Sequence, residues 1–236
     1  MSWPDVTVVD ACVRRDGRGG SPTAVTDDDP AATDADRRAV AAAAGTSHAA
    51  FLGPGRTPDG GRPVRFFTSS RCVTRRRTSA PRSSPRLGLT ADDPHPIDAP
   101  RIAAPGAPRM LVPVHDRSAL LRVCPHLGRP TEACRRYGLL GCFVYVPPVG
   151  DRPGAARMFA PAIGVDEDVA NANSTGCLAA HLLDTTGAQT VVIEVEQGDA
   201  LGRPAGVLAS ARRGPAGITT RVGGLAVVRD GHFGDD

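Results

Sequence analysis

The most regular pattern of apolar and polar positions runs from Ala156 to Pro204. Arg157-Met-Phe-Ala160 is short and half apolar, as a strand requires, and the acidic turn Gly164-Val-Asp-Glu-Asp168 follows it. Asp168, Asn171, Asn173 and Ser174 all favour a helix N-cap, where a side-chain oxygen takes up an unpaired first-turn amide. From Gly176 onward, Cys177-Leu-Ala-Ala-His-Leu-Leu183 is apolar on nearly every face, which predicts a helix enclosed by other elements. Gln189 to Glu196 alternates like a half-buried strand. A Gly/Pro turn, Gln197-Gly198 with Gly202-Arg-Pro204, closes the stretch.

The same reading applied elsewhere predicts a chain of strands with few helices. Val6 to Val13 is an opening strand rich in β-branched residues. A basic loop spans Arg14 to Gly20, and an acidic turn spans Asp27 to Thr33. Thr33 or Asp34 caps a helix from Ala35 to Ala44, and Gly45 ends it. Leu87 to Pro94 reads as a helix end and turn. Further strands are expected at Arg109 to Val114 and Gly141 to Val146, with helices at Asp116 to Val123 and Thr131 to Tyr137. Ile218 to Val228 gives the last strands, bent at Gly223-Gly224. Such repetition argues for antiparallel sheets that wrap a helix, not for a βαβ fold.

One segment breaks the pattern. Arg71-Cys-Val-Thr-Arg-Arg-Arg-Thr-Ser-Ala-Pro-Arg-Ser-Ser-Pro-Arg86 cannot form a core helix. Arg75, Arg76 and Arg77 would be buried without visible partners, and a proline in a helix interior costs about 3 kcal/mol. It reads as an exposed, disordered basic loop, and its Arg/Pro/Ser character is that of GC-rich DNA translated out of frame. A basic nucleic-acid arm would carry interleaved aromatics, which are missing here.

Composition sharpens these expectations. With 236 residues the chain can form one large or two modest domains. Its net charge of +3 is too small for a nucleic-acid surface, and arginine carries all of the positive side-chain charge. Aromatics make up 4%, so the cores must be built of Val, Leu and Ala. Six cysteines without a Cys-x-x-Cys pair, no signal peptide and no apolar run long enough to span a bilayer predict free thiols in a reducing cytoplasm. Cys124-Pro-His126 with Cys134 and Cys142 matches no standard zinc spacing, so no metal site is expected.

Taken physically, the start of the buried helix is an anion site, because its first-turn amides and dipole favour negative charge. The plain alternative is that these residues only cap a core helix. Ala156-Arg-Met-Phe-Ala-Pro161, Glu167-Asp168, Gly176-Cys-Leu-Ala-Ala180, Gln197-Gly198 and Gly202-Arg-Pro204 resemble the signature of the phenazine-biosynthesis PhzF isomerase family. The resemblance implies an α+β, two-lobed, diaminopimelate-epimerase-like fold. Each lobe would be a curved, mostly antiparallel sheet around a central helix, divided as 1–107 and 108–236, with the site in the cleft between them.

Three departures from the family pattern bear on function. The family's Glu-Asp-Pro-Ala-Thr-Gly-Ser-Ala turn reads Glu167-Asp-Val-Ala-Asn-Ala-Asn-Ser174 here. Thr46-Ser-His-Ala-Ala-Phe-Leu52 resembles Thr-Ser-Glu-Thr-x-Phe-Val, so His48 stands where a glutamate moves the proton between carbons. The family's Cys-Gly-His-Ala-Thr helix would fall in the aberrant 71–86 segment, which leaves the first lobe's central helix in doubt. Gly20-Ser-Pro-Thr-Ala-Val25 also resembles Gly-Asn-Pro-x-Ala-Val, with Ser21 for asparagine.

By this resemblance the chain is a cofactor-free isomerase that moves a proton on a small carboxylate-bearing metabolite, in secondary metabolism. His48 and Asp168 would be catalytic, while Ala172, Asn173, Ser174 and Ser21 would bind substrate. Imidazoles as a class titrate near pH 6.5 and both accept and donate protons at neutrality. Arg157, on a strand, is expected to pair with an acidic neighbour. Homodimers are common in the family, and neither a nucleic-acid nor a membrane partner is expected. Two alternatives stand beside it. One is an inactive or ligand-binding remnant of the same fold, favoured by the lost glutamate and the missing Gly-His helix. The other, a racemase with two opposed thiols, fails because Cys12 and Cys177 do not stand where such a pair belongs.

Overall fold

Strand β1 (Thr7–Val13) pairs antiparallel with β2 (Ser21–Asp27), and the chain then crosses through helix α1 (Asp34–Ala43) to β3 (His48–Leu52) and β4 (Val64–Thr68). The cap predicted for α1 is made by Thr33, as one half of a capping box. Thr33 accepts from the Asp36 amide while the Asp36 carboxylate accepts from Thr33 N–H, and Gly45, at φ +64°, follows the helix end. Val40 and Ala41 of α1 pack on Val8, Ala24, Ala49 and Phe51. Arg37 is buried beside them, with its charge answered by Asp28 at 2.8 Å and its remaining donors by Ala32 and Asp29 carbonyls. The computed structural model describes residues 3, 5–46, 48–56, 62–68, 87–89, 92–104, 107–124, 128–215 and 217–232. The expected disordered loop at 71–86 lies outside the described residues.

A second sheet follows. Its strands are β5 (Arg101–Ala103), β6 (Arg109–Pro113), β7 (Cys142–Val146), β8 (Gly154–Ala160) and β9 (Val165–Asp168), then β10 (Thr190–Gln197), β11 (Ala205–Gly214) and β12 (Gly217–Gly223). Helices α2 (Arg117–Arg122) and α3 (Gly128–Tyr137) lie between β6 and β7, and α4 (Ala172–Thr186) lies between β9 and β10. The strand order is β12-β11-β10-β8-β7-β6-β5, with β9 beside β8.

Helix α4 packs on β6 as well as on β10, β11 and β12. Five strand spacings of about 4.8 Å separate β12 from β6 along that order, roughly 24 Å, whereas a helix is about 10–12 Å across. The sheet must therefore curl around α4. Alternation then sorts the strands into two cores. Leu111, Phe143, Tyr145, Met158, Val195 and Ala209 face α4 with Cys177, Leu178 and Leu183. Met110, Val112, Val144 and Phe159 face away and are covered by Leu120, Val123 and Cys134 from α2 and α3.

The sheets are mostly antiparallel, as expected, with three parallel pairs among the described strands: β2 with β3, β6 with β7, and β8 with β10. Each parallel pair is separated in sequence by at least one helix, which returns the chain to the same end of the sheet. Short apolar runs carry no record of pairing direction. The compact units comprise Met1–Arg71 with Leu225–Asp236, and Cys72–Gly224, where the sequence reading divides the chain as 1–107 and 108–236. Leu87 is buried in the α2/α3 core and β5 pairs β6, so the chain before 108 joins the second unit. After the bend predicted at Gly223-Gly224, β13 (Leu225–His232) leaves the second sheet, pairs β1 and completes a five-stranded first sheet, β13-β1-β2-β3-β4. Leu87 to Leu89, read from sequence as a helix end, is irregular chain.

Candidate functional site

Of the four cap-forming residues read from sequence, Asn171 is the one that caps α4. Its extended backbone (φ −106°, ψ 92°) presents Oδ1 to the Ser174 amide at 2.9 Å. Its Nδ2 donates to Asp168 Oδ2 at 3.0 Å, and its own N–H donates to Gln197 Oε1 at 2.9 Å. Gln197, 1% exposed, donates in turn through Nε2 to Thr175 Oγ1 at 3.0 Å. The next residue must be glycine: Gly198 sits at φ +77°, and a Cβ there would stand 2.1 Å from the Arg203 carbonyl oxygen. The Gln-Gly and Gly-Arg-Pro pieces of the sequence are thus one device that braces the start of α4.

This bracing decides which donors face outward. The Ser174 amide is taken by the cap, and Ser174 is fully buried, its hydroxyl accepting from Arg109 at 3.2 Å and donating to Met158 Sδ at 3.6 Å. Ser174 thus has both its amide and its hydroxyl engaged. Ala172 is half-buried and Asn173 exposed, and among the described residues their amides have no acceptor. Half-buried Asp168 spends Oδ2 on Asn171 and keeps Oδ1 unengaged among the described residues. Two open amides and one open carboxylate oxygen lie within a few residues of each other.

Arg157 pairs with an acidic neighbour, as its strand position predicts. It grips Glu167 with Nε and Nη2 at 2.8 and 2.7 Å, and Nη1 donates to the Leu120 and Val123 carbonyls. It ties β8, β9 and α2 together.

His48 and Ser21 belong to the first unit. His48 is half-buried at the head of β3, in register with Thr23 of β2 and Thr68 of β4. Its carbonyl accepts from Thr46 Oγ1 at 2.8 Å. Ser21, 6% exposed, opens the adjacent strand β2, two positions before Thr23. The structure thus brings Ser21 and His48 onto neighbouring strands of one unit, and gathers Asp168, Ala172, Asn173 and Ser174 in the other. Cys12 lies at a bulge of β1 with φ +60°, and Cys177 is buried on α4.

Sequence reasoning missed three groups. Gln197 was visible as a motif but not as a brace. Asp98 accepts from Tyr145 Oη at 2.5 Å and meets His181 Nε2 at 3.0 Å, in a part-buried cluster. The Tyr145 hydroxyl is pushed far above its ordinary range by burial, and further by Asp98. Arg109, read as the first residue of a strand, is 3% exposed. Among the described residues no three His, Cys, Asp or Glu side chains are placed to hold a metal ion. Nor is any of the described helices long and apolar enough to cross a membrane.

Comparison with known proteins gives the class first. The signature of the PhzC-PhzF, phenazine biosynthesis-like family matches residues 71–231, more than half of the chain, and the chain belongs to that family. An uncharacterized isomerase of Deinococcus radiodurans is 34% identical over 132 residues, covering 53% of this chain and 42% of that protein. The uncharacterized isomerase YddE of Salmonella typhimurium is 30% identical over 121 residues, covering 50% and 41%. The matched stretch thus spans less than half the length of these curated relatives. A PhzF-family phenazine biosynthesis protein of Bacillus anthracis shares the fold, with TM-score 0.65 at 13% identity and 97% of both chains covered. So does a predicted epimerase of Pseudomonas aeruginosa, with TM-score 0.66 at 22% identity and 97% of both chains covered. The fold is the two-lobed, diaminopimelate-epimerase-like one that the sequence motifs implied.

Proposed function

We propose that this chain is a cofactor-independent isomerase that removes a proton from one carbon of a small carboxylate-bearing metabolite and returns it at another. The observation that carries this reading is the open start of α4, where the Ala172 and Asn173 amides stand beside the unengaged Oδ1 of Asp168. The two amides and the helix dipole hold the substrate carboxylate. The His48 imidazole takes the proton as its C–H bond breaks, the electron pair delocalises toward the bound carboxyl group, and the imidazolium then returns the proton to the neighbouring position. Asp168 orients the substrate. The same reading places the protein in the cytoplasm, in secondary metabolism, as a homodimer.

The test is incubation with a panel of unsaturated and hydroxy carboxylic acids in deuterated water, read by mass spectrometry. Incorporation of one deuterium that vanishes in His48→Ala supports the assignment. Exchange unchanged in that variant removes His48 from the mechanism. A second reading, a ligand-binding remnant of the fold, is favoured by the histidine standing where the family has glutamate. It predicts a melting point raised by one of these acids, with no deuterium incorporated from any.

A further inference from the structure

Two arginines are buried to the same degree among the described residues, and only one of them has an anion to answer it there. Arg37 and Arg109 are each 3% exposed. Arg37 meets Asp28, itself 6% exposed, at 2.8 Å. Arg109 meets no carboxylate among the described residues. Of its five N–H donors, one on Nη1 goes to Ser174 Oγ at 3.2 Å and one on Nη2 to the Ala107 carbonyl at 2.9 Å. Its Nε is buried and has no acceptor among the described residues. A desolvated guanidinium without a counter-charge costs far more than two neutral hydrogen bonds return.

The surroundings add positive potential instead of cancelling it. Ser174, the acceptor for Nη1, lies in the first turn of α4, the positive end of that helix's dipole. Cys177 sits one turn further along and is 4% exposed; burial raises its thiol above the ordinary range, so it stays neutral and supplies no negative charge. Met158, fully buried, contributes only a thioether. A cation and a helix N-terminus thus converge, while Asp168, the carboxylate at that helix start, bonds Asn171 and makes no ion pair with Arg109 among the described residues.

We infer that Arg109, with the first turn of α4, binds a compact monoanion of carboxylate size, held chiefly by the Nε–H donor. This site goes beyond the isomerase reading and stands without it. The anion comes either from the carboxyl group of a substrate or from free solution.

Thermal melting decides the matter. In an anion-poor buffer, sodium formate should raise the melting temperature saturably, by about 5 °C or more at a hundredfold excess over its Kd. A bulky sulfonate salt at equal ionic strength should leave it unchanged. Arg109→Met should abolish the saturable rise and, without formate, melt no lower than the native chain. Crystals soaked in bromide should show an anomalous peak within about 4 Å of Arg109 Nε, a measurement that stands even if the variant does not fold. Formate and sulfonate acting alike, a rise retained in Arg109→Met, or bromide absent from Arg109 would each overturn the site. If an exchanging acid is found, competition by formate identifies the substrate carboxyl as the natural occupant. Formate binding that leaves exchange untouched identifies a free anion.

Discussion

Gln197 Nε2 and Thr175 Oγ1 meet at 3.0 Å inside the second unit, and through that bond the end of β10 fixes the start of α4. The same glutamine accepts from Asn171 N–H, so one buried side chain satisfies both the cap residue and the helix's first turn. Neither strand propensity nor helix propensity asks for glutamine there. Its place is set by the two hydrogen bonds it closes.

Gln197→Leu leaves the Asn171 amide without its acceptor in a part-buried setting. The expected loss is about 1–3 kcal/mol of stability. Urea unfolding should show a lower midpoint with an unchanged slope. An unshifted midpoint would mean that the brace contributes nothing.

Arg157 and Glu167 form an ion pair that is 12% and 11% exposed. Removing one partner strands the other charge, so Arg157→Met alone should cost about 3–5 kcal/mol. Replacing both residues by methionine should recover much of that loss, because no uncompensated charge then remains. A double-mutant cycle with additive losses would contradict the pairing.

Asp116 caps α2 and accepts from the Ala119 amide at 2.7 Å. That bond, helped by the Ser118 hydroxyl, lowers its carboxyl to about 2 from the ordinary value of 3.8. Because the folded value is the lower one, the stabilisation is fully present above about pH 4 and is lost as pH falls toward 2. Asp116→Ser keeps a capping oxygen but removes the titration. The urea midpoint of the variant should therefore fall less steeply than that of the native chain between pH 4.5 and about 2.

Local chemistry was readable in the sequence where it is completed within a few residues. Thr33 stands directly before the α1 run, so its cap was visible, and the Cys177 to Leu183 run announced its own enclosure. Asn171, Asn173, Ser174 and Asp168 were equally good caps on paper; only the bond from Gln197, 26 residues away, singles out Asn171. The Asp98–His181 and Arg109–Ser174 contacts join residues 83 and 65 positions apart, and no periodicity records such a meeting. Pairing direction was invisible for a related reason. A parallel and an antiparallel strand of the same residues bury the same face, and only the connection differs.

The first sheet depends on a strand that is synthesised only after the whole second unit. Val13 is in register with Leu225, so the amino-terminal unit stays one strand short while the whole second unit is made. At about 5–20 residues per second, β1 waits roughly 10–40 s on the ribosome with an unpaired row of amides and carbonyls. Until β13 arrives, that edge of β1 is a template on which another chain can pair.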